Sequence, residues 1–153
     1  MREVATNPDA TAPLNIIIPM AGNDFERPDG SVKAETPVGK TTLLGATLEA
    51  RAWWSGAAVP VFVLRDRPAS QRYARETLLA RYPTARIVWL SEMSGGAAWS
   101  AAAGMALVAF PDAPVVIDLC DIMFRCELRN LRTISNSMIL VPLLNPKFAV
   151  EFA

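Results

Sequence analysis

The sequence predicts an α/β fold: a Rossmann-like, three-layer αβα domain built on a mostly parallel sheet. Three observations lead there. Short apolar, β-branched runs with little alternation recur at 15–20, 59–64, 86–90, 115–119 and 138–143, the pattern of strands buried on both faces. Segments of helical character separate them, so successive strands should run parallel and be joined by right-handed crossovers. The first run ends in a long polar loop rich in Asn, Asp, Gly and Pro, at 21–33, and a helix follows. Strand, loop and helix in that order form the ligand-binding corner of an open α/β sheet. The expected strand order is about 3-2-1-4, with a fifth strand in addition.

Taken in order, residues 1–13 are polar, lack the apolar stretch of a signal peptide and read as a disordered leader. Residues 14–153 read as one domain, large enough to bury a core. Asn15-Ile16-Ile17-Ile18-Pro19-Met20 is the first strand. Thr41-Thr42 opens a helix to residue 54 with a threonine cap, Leu44, Leu48 and Ala52 as its apolar positions, and Ser55-Gly56 as its stop. The second strand is 59–64. Arg65-Asp66-Arg67-Pro68 turns into a helix over 69–82 that carries Tyr73, Leu78 and Leu79 inward and its arginines on a solvated face. Pro83 stops it, and 86–90 is the third strand. Ser94-Gly95-Gly96 leads into an Ala-rich helix over 97–110, and 115–119 is the fourth strand. A helix over 127–134 and the strand at 138–143 complete the pattern.

Composition narrows the chemistry. Hydrophobic residues make up 52% of the 153, which argues for a folded chain. Fifteen basic residues balance fifteen acidic ones, so no global charge points to nucleic acid or to an anionic membrane. The most membrane-like stretch, 95–110, is shorter than the roughly 20 apolar residues a span needs. A cytoplasmic location is therefore expected. The chain has two cysteines, Cys120 and Cys126, in no metal-ligand spacing, which read as reduced thiols. It has no histidine, which removes Ser-His-Asp and Cys-His catalysis and His-ligated zinc. Chemistry must rest on carboxylates, Lys, Arg, backbone amides and hard metal ions.

Three places can carry it. In the loop 21–33, Gly22 allows close backbone approach to a ligand, loop amides can hold phosphate oxygens, and Arg27 and Lys33 can neutralise a triphosphate. The alternative is a glycine turn with surface charges. Gly39-Lys40-Thr41 is not a phosphate-binding P-loop, because Ala34 stands at the first glycine position and Pro37 interrupts the cradle. Asp121 follows the fourth strand, where it can meet a metal or cap the next helix. Gly96 opens a helix whose free amides suit an anion, or is a plain flexible start to that helix. In a 3-2-1-4 sheet, crossovers leave strands one and four toward opposite faces. Gly22 and Asp121 would then face each other across the crevice.

Ile16-Ile17-Ile18-Pro19-Met20-Ala21-Gly22, the turn Lys33-Ala34-Glu35-Thr36-Pro37-Val38-Gly39-Lys40 and the stretch Asp118-Leu119-Cys120-Asp121-Ile122-Met123-Phe124 together resemble the sugar-phosphate nucleotidyltransferases, in their N-terminal nucleotide-binding half. Asn23-Asp24 stands where the family has its second loop glycine, and Ala34 where a proline follows the lysine. The resemblance implies Arg27 and Lys33 as catalytic residues, Ala21, Gly22 and Gly96 as nucleotide-binding residues, and Asp121 as the ligand of Mg²⁺. It implies a nucleoside triphosphate or nucleotide sugar as ligand and a sugar phosphate as acceptor of a nucleotidyl group. Chains of that family run well beyond the fifth strand, so this one reads as truncated, with slow turnover or none, and the exposed edge of that strand offers a route to a homo-oligomer. Two alternatives stay open: a nucleotide-binding or regulatory module without turnover, and a sugar-nucleotide-dependent glycosyltransferase with Asp118 and Asp121 as its acidic motif.

Overall fold

Strand β1 (Leu14–Pro19) lies inside a parallel sheet, between a strand that follows it in sequence and one that arrives a hundred residues later. The computed structural model describes residues 13–49, 51, 54 and 58–121. After β1 come a long loop containing a 3-10 turn (Lys33–Glu35), then β2 (Pro37–Val38), β3 (Thr41–Thr42), α1 (Leu43–Glu49) and β4 (Ala58–Arg65). A continuous helix follows, made of α2 (Pro68–Tyr73), a π-helical turn (Ala74–Leu78) and α3 (Leu79–Arg81). The described chain ends with β5 (Arg86–Leu90), α4 (Ala97–Gly104), a 3-10 turn (Met105–Leu107) and β6 (Val115–Ile117).

The main sheet has the order β5-β4-β1-β6, all neighbours parallel. Counted within this sheet alone, that is the third, second, first and fourth strand, as the apolar runs imply. The difference lies outside it: β2 and β3 form a separate antiparallel pair, Pro37 opposite Thr42 and Val38 opposite Thr41. Thr41-Thr42 was expected to open the helix and instead forms the second arm of this hairpin. Thr42 still caps α1, its hydroxyl oxygen accepting the amide of Gly45 at 3.3 Å. The expected helix 127–134 and the fifth strand 138–143 lie outside the described residues.

Period-2 alternation along β1 sorts its side chains into two cores. Leu14, Ile16 and Ile18 pack with Leu44 and Leu48 of α1, with Phe62, and with Tyr73 and Leu78 of the long helix. On the other face Ile17 packs with Val61, Val63, Val115 and Ala101 of α4. Helices therefore cover both faces, which makes the three layers. The crossover through α4 takes the face opposite to α1 and α2, so the sheet changes winding direction between β1 and β6.

The first helix, α1, ends at Glu49 rather than reaching residue 54, and two further helices depart from the sequence expectation for identifiable reasons. Leu79, expected inward, is 39% exposed, while Tyr73 and Leu78 are buried. The π turn is the cause: five-residue spacing brings Tyr73 and Leu78 onto one face and rotates Leu79 out. The Ala-rich helix ends at Gly104 and tightens into a 3-10 turn rather than reaching residue 110. At Gly104 the helix backbone touches the sheet, and a Cβ there would meet Ile17 Cγ2 at 2.5 Å and Val63 Cγ2 at 3.1 Å. Beyond it, buried Asn15 of β1 holds the chain by its side chain. Its amide nitrogen donates to Phe110 O at 2.7 Å, and its oxygen accepts the amides of Ala109 (3.0 Å) and Phe110 (3.1 Å). That satisfies three of the four bonding positions of a polar group which would be costly to bury unpaired. Among the described residues no helix is long and apolar enough to cross a membrane.

Candidate functional site

A cleft of about 640 Å³ opens at the carboxyl ends of β1 and β6, where the winding changes direction. One wall is the loop after β1. Its polar sequence hides three apolar pegs, Phe25, Val32 and Ala34, all buried. Backbone bonds fold it back on itself: Lys33 N to Phe25 O (2.7 Å), Arg27 N to Ser31 O (2.9 Å) and Phe25 N to Gly22 O (3.2 Å). Lys33 stands between two pegs, so its backbone is pinned while its side chain reaches into the cleft.

The long helix secures this loop from behind. Glu26 accepts both the amide (3.0 Å) and the hydroxyl (2.7 Å) of Ser70 in the first turn of α2. Glu35 accepts a two-pronged bond from the Arg72 guanidinium, at 3.0 and 2.8 Å, and the amide of Val32 at 3.1 Å. Arg72, the chief cause, holds the Glu35 carboxyl below the usual carboxylate range. Arg72, expected on a solvated face, is thus a strut.

Across the cleft, the chain leaves β6 through Asp118, Leu119 and Cys120 to Asp121. The Lys33 ammonium lies 2.6 Å from Asp24 Oδ2 and 3.0 Å from Asp121 Oδ2, so one cation joins the loop after β1 to the end of β6. Its bonds to Asp24 first, and then to Asp121, raise the Lys33 pKa above the ordinary lysine value. The bond to Lys33 holds Asp24 below the ordinary aspartate value. Among the described residues lining the cleft, these three carry all the formal charge, and it sums to −1.

The third wall is the loop from β5 into α4. Gly96 has φ +132° and ψ 179°, a conformation open to glycine and strained for other residues, and it turns the chain into the helix. The Ser94 hydroxyl donates to Gly96 O at 3.0 Å and accepts from the Ser100 hydroxyl at 2.6 Å, which fixes that turn. Met93, Phe25, Leu43 and Leu119 supply apolar lining. Cys120 is a free, buried thiol in the same lining, and burial pushes its pKa up to about 12, so it stays protonated and is no nucleophile.

Of the residues singled out from sequence, Ala21, Gly22, Lys33, Gly96 and Asp121 all line this cleft. Arg27 does not. Its guanidinium donates to the Thr36 hydroxyl, which in turn donates to Lys33 O at 2.6 Å, so Arg27 braces the turn that carries Lys33. Asp24 was noticed only as a substitute for a glycine, yet it is the closer partner of Lys33. Glu26, Glu35 and Arg72 carried no signal of this anchoring, since the bonds that join loop to helix span 37 to 44 residues in sequence.

Beneath the cleft, Asp118 is buried with Arg51. The guanidinium Nε lies 3.1 Å from Oδ2, and Nη2 lies 3.3 Å from Oδ1. Both side chains are at most 1% exposed. Asp118 therefore belongs to the floor and does not reach the cleft beside Asp121. Among the described residues no three His, Cys, Asp or Glu side chains gather to hold a metal ion by themselves. Asp24 and Asp121, which already share one cation, suit a hard ion such as Mg²⁺ that keeps waters and takes further oxygens from phosphates. Comparison with models of known protein families gives no match, and comparison with curated proteins gives none either.

Proposed function

We propose that this cleft binds a nucleoside triphosphate or nucleotide sugar together with Mg²⁺, and that the chain serves nucleotidyl transfer to a sugar phosphate. The observation that carries the reading is the Lys33 ammonium bridging Asp24 and Asp121 at the point where the sheet reverses its winding. Such crevices are where open α/β sheets hold phosphorylated ligands. The lining is slightly negative overall, so it disfavours a magnesium-bound polyphosphate less than a bare one.

The roles of the residues follow from their places. Ala21 and Gly22 let the loop backbone come close to phosphate oxygens, and Lys33 neutralises them as a mobile point charge. Gly96 and the apolar wall around Met93 suit a flat base. Asp121, with Asp24, would hold the metal, which supplies charge neutralisation on the phosphates when bound. In the transfer itself a sugar-phosphate oxygen attacks the α-phosphorus and pyrophosphate departs. The chain contributes position and charge and needs no histidine.

The test is calorimetry with a panel of nucleoside triphosphates and nucleotide sugars, with and without Mg²⁺, on the protein and on Asp121→Asn. Magnesium-dependent binding is expected in the first and should be lost in the second. Equal affinity in both proteins would make Asp121 a bystander and remove the reading.

A further inference from the structure

We infer that Lys33 is the resident cation of this cleft, holding the place a divalent ion takes once an anionic ligand has drawn the ammonium away. The identity of the anion rests on the nucleotide reading above. The electrostatics rest on the geometry alone. Asp24 and Asp121 come from different elements, the loop after β1 and the end of β6, and both carboxylates close on the Lys33 ammonium, at 2.6 and 3.0 Å. Two carboxylates brought to one point repel when the charge between them leaves, so a replacement cation is favoured there.

Lys33 is built for such an exchange. Its backbone is tied to Phe25 O at 2.7 Å and flanked by buried Val32 and Ala34, so its Cα stays in place. Its four-carbon stem is flexible, and the side chain is 33% exposed, so the head group can swing without rearranging the loop. A divalent ion alone must compete with an ammonium already bonded to both carboxylates. A phosphate oxygen offers Lys33 another partner and frees the two carboxylates for the metal. Metal and anion should therefore bind with positive coupling, each raising the affinity for the other by the same factor.

The probe is Mn²⁺ without nucleotide, titrated into the full chain and read as the loss of the free-ion electron paramagnetic resonance signal. Lys33→Met should bind Mn²⁺ about three- to tenfold more tightly than the unaltered protein, the scale expected for removing two exposed ion pairs. Asp24→Asn should weaken Mn²⁺ binding more in the Lys33→Met background than in the unaltered one. Lys33→Gln repeats the measurement with a polar side chain at the same exposed position. Equal or weaker Mn²⁺ binding in both Lys33 variants, or an identical Asp24→Asn effect in the two backgrounds, overturns the inference. A gain of Mn²⁺ affinity in a protein that binds no nucleotide would support the resident cation and refute the nucleotide reading. Nucleotide binding without that gain would do the reverse.

Discussion

Asp118 and Asp121 stand three residues apart in sequence and live in opposite surroundings. The Asp118 side chain is 1% exposed and bonded to Arg51, while the Asp121 side chain is 43% exposed and bonded to Lys33, itself 33% exposed. Breaking a buried pair from one side removes much of the compensation of the other charge in a medium that solvates it poorly. Arg51→Met should therefore cost about 3–5 kcal/mol of stability in urea unfolding. A loss below about 1 kcal/mol would mean that Asp118 finds compensation elsewhere. The exposed triad behaves differently, and its pH dependence has a definite sign. Asp24 is held below its ordinary value, so its contribution is present above the usual carboxylate range and fades as pH falls through the lowered value. Lys33 is held above its ordinary value, so its contribution is present below the usual lysine range and fades as pH rises through the raised value. With the Asp24 side chain 72% exposed, the effect on stability is small, and titration is the better measurement. Lys33→Met should shift the carboxyl titration of Asp24, followed by carbon-13 NMR, to higher pH. An unmoved midpoint would mean that the pair does not persist in solution.

At the scale of elements, the loop after β1 owes its shape to the long helix as much as to its own turns. Glu26 and Glu35 reach back to Ser70 and Arg72, and these bonds place Lys33 without touching the cleft. Arg72→Ala should cost only about 1 kcal/mol globally, since the pair is half-exposed. Its local effect should be larger. Exchange of the amides of Arg27 and Lys33, bonded to Ser31 O and Phe25 O, should speed up while the amides of β1 keep their protection. Uniform exchange across loop and strand would show the strut to be dispensable. The anchoring also has a pH limit. Glu35 is depressed by Arg72, so the strut holds above the ordinary carboxylate range and is lost as pH falls through the lowered value.

At the scale of the molecule, helices cover both faces of β1 and β4, and the sheet reverses its winding between β1 and β6. The cleft sits at that seam. A ligand bound there touches the loop after β1, the start of α4 and the end of β6 together, so binding to the folded chain adds to global stability by mass action. A magnesium nucleotide at about 100 times its dissociation constant should stabilise the chain by about 2.7 kcal/mol, or about 5–10 °C in Tm. The shift should vanish when EDTA accompanies the nucleotide. A rise of equal size without the metal would argue against a role for Asp24 and Asp121 in holding it.

What the sequence by itself determined is the part governed by local periodicity. Short apolar, β-branched runs at β1 and β4 fit strands buried on both faces, and helical segments between them imply parallel crossovers. That logic reached the strand order and, through it, the meeting of Gly22 with Asp121. It also placed Gly96, because a glycine pair before an Ala-rich run marks a helix start. What only the tertiary structure decided is the pairing of charges. Arg27 reads as a phosphate ligand and Arg72 as part of a solvated face, yet both brace the loop from outside the cleft, Arg27 through Thr36 and Arg72 through Glu35. Asp118, within the apolar run at 115–119, reads as structural and Asp121 as the residue at the strand end. Folding adds their partners, buried Arg51 for one and Lys33 at the cleft for the other. Hydrophobic periodicity is written within a few residues and survives reading along the chain. A charged side chain is defined by the partner it meets, and here the decisive partners lie 9 to 88 residues away. Folding brings them together, because a charge taken from water must find its counter-charge in space rather than in sequence.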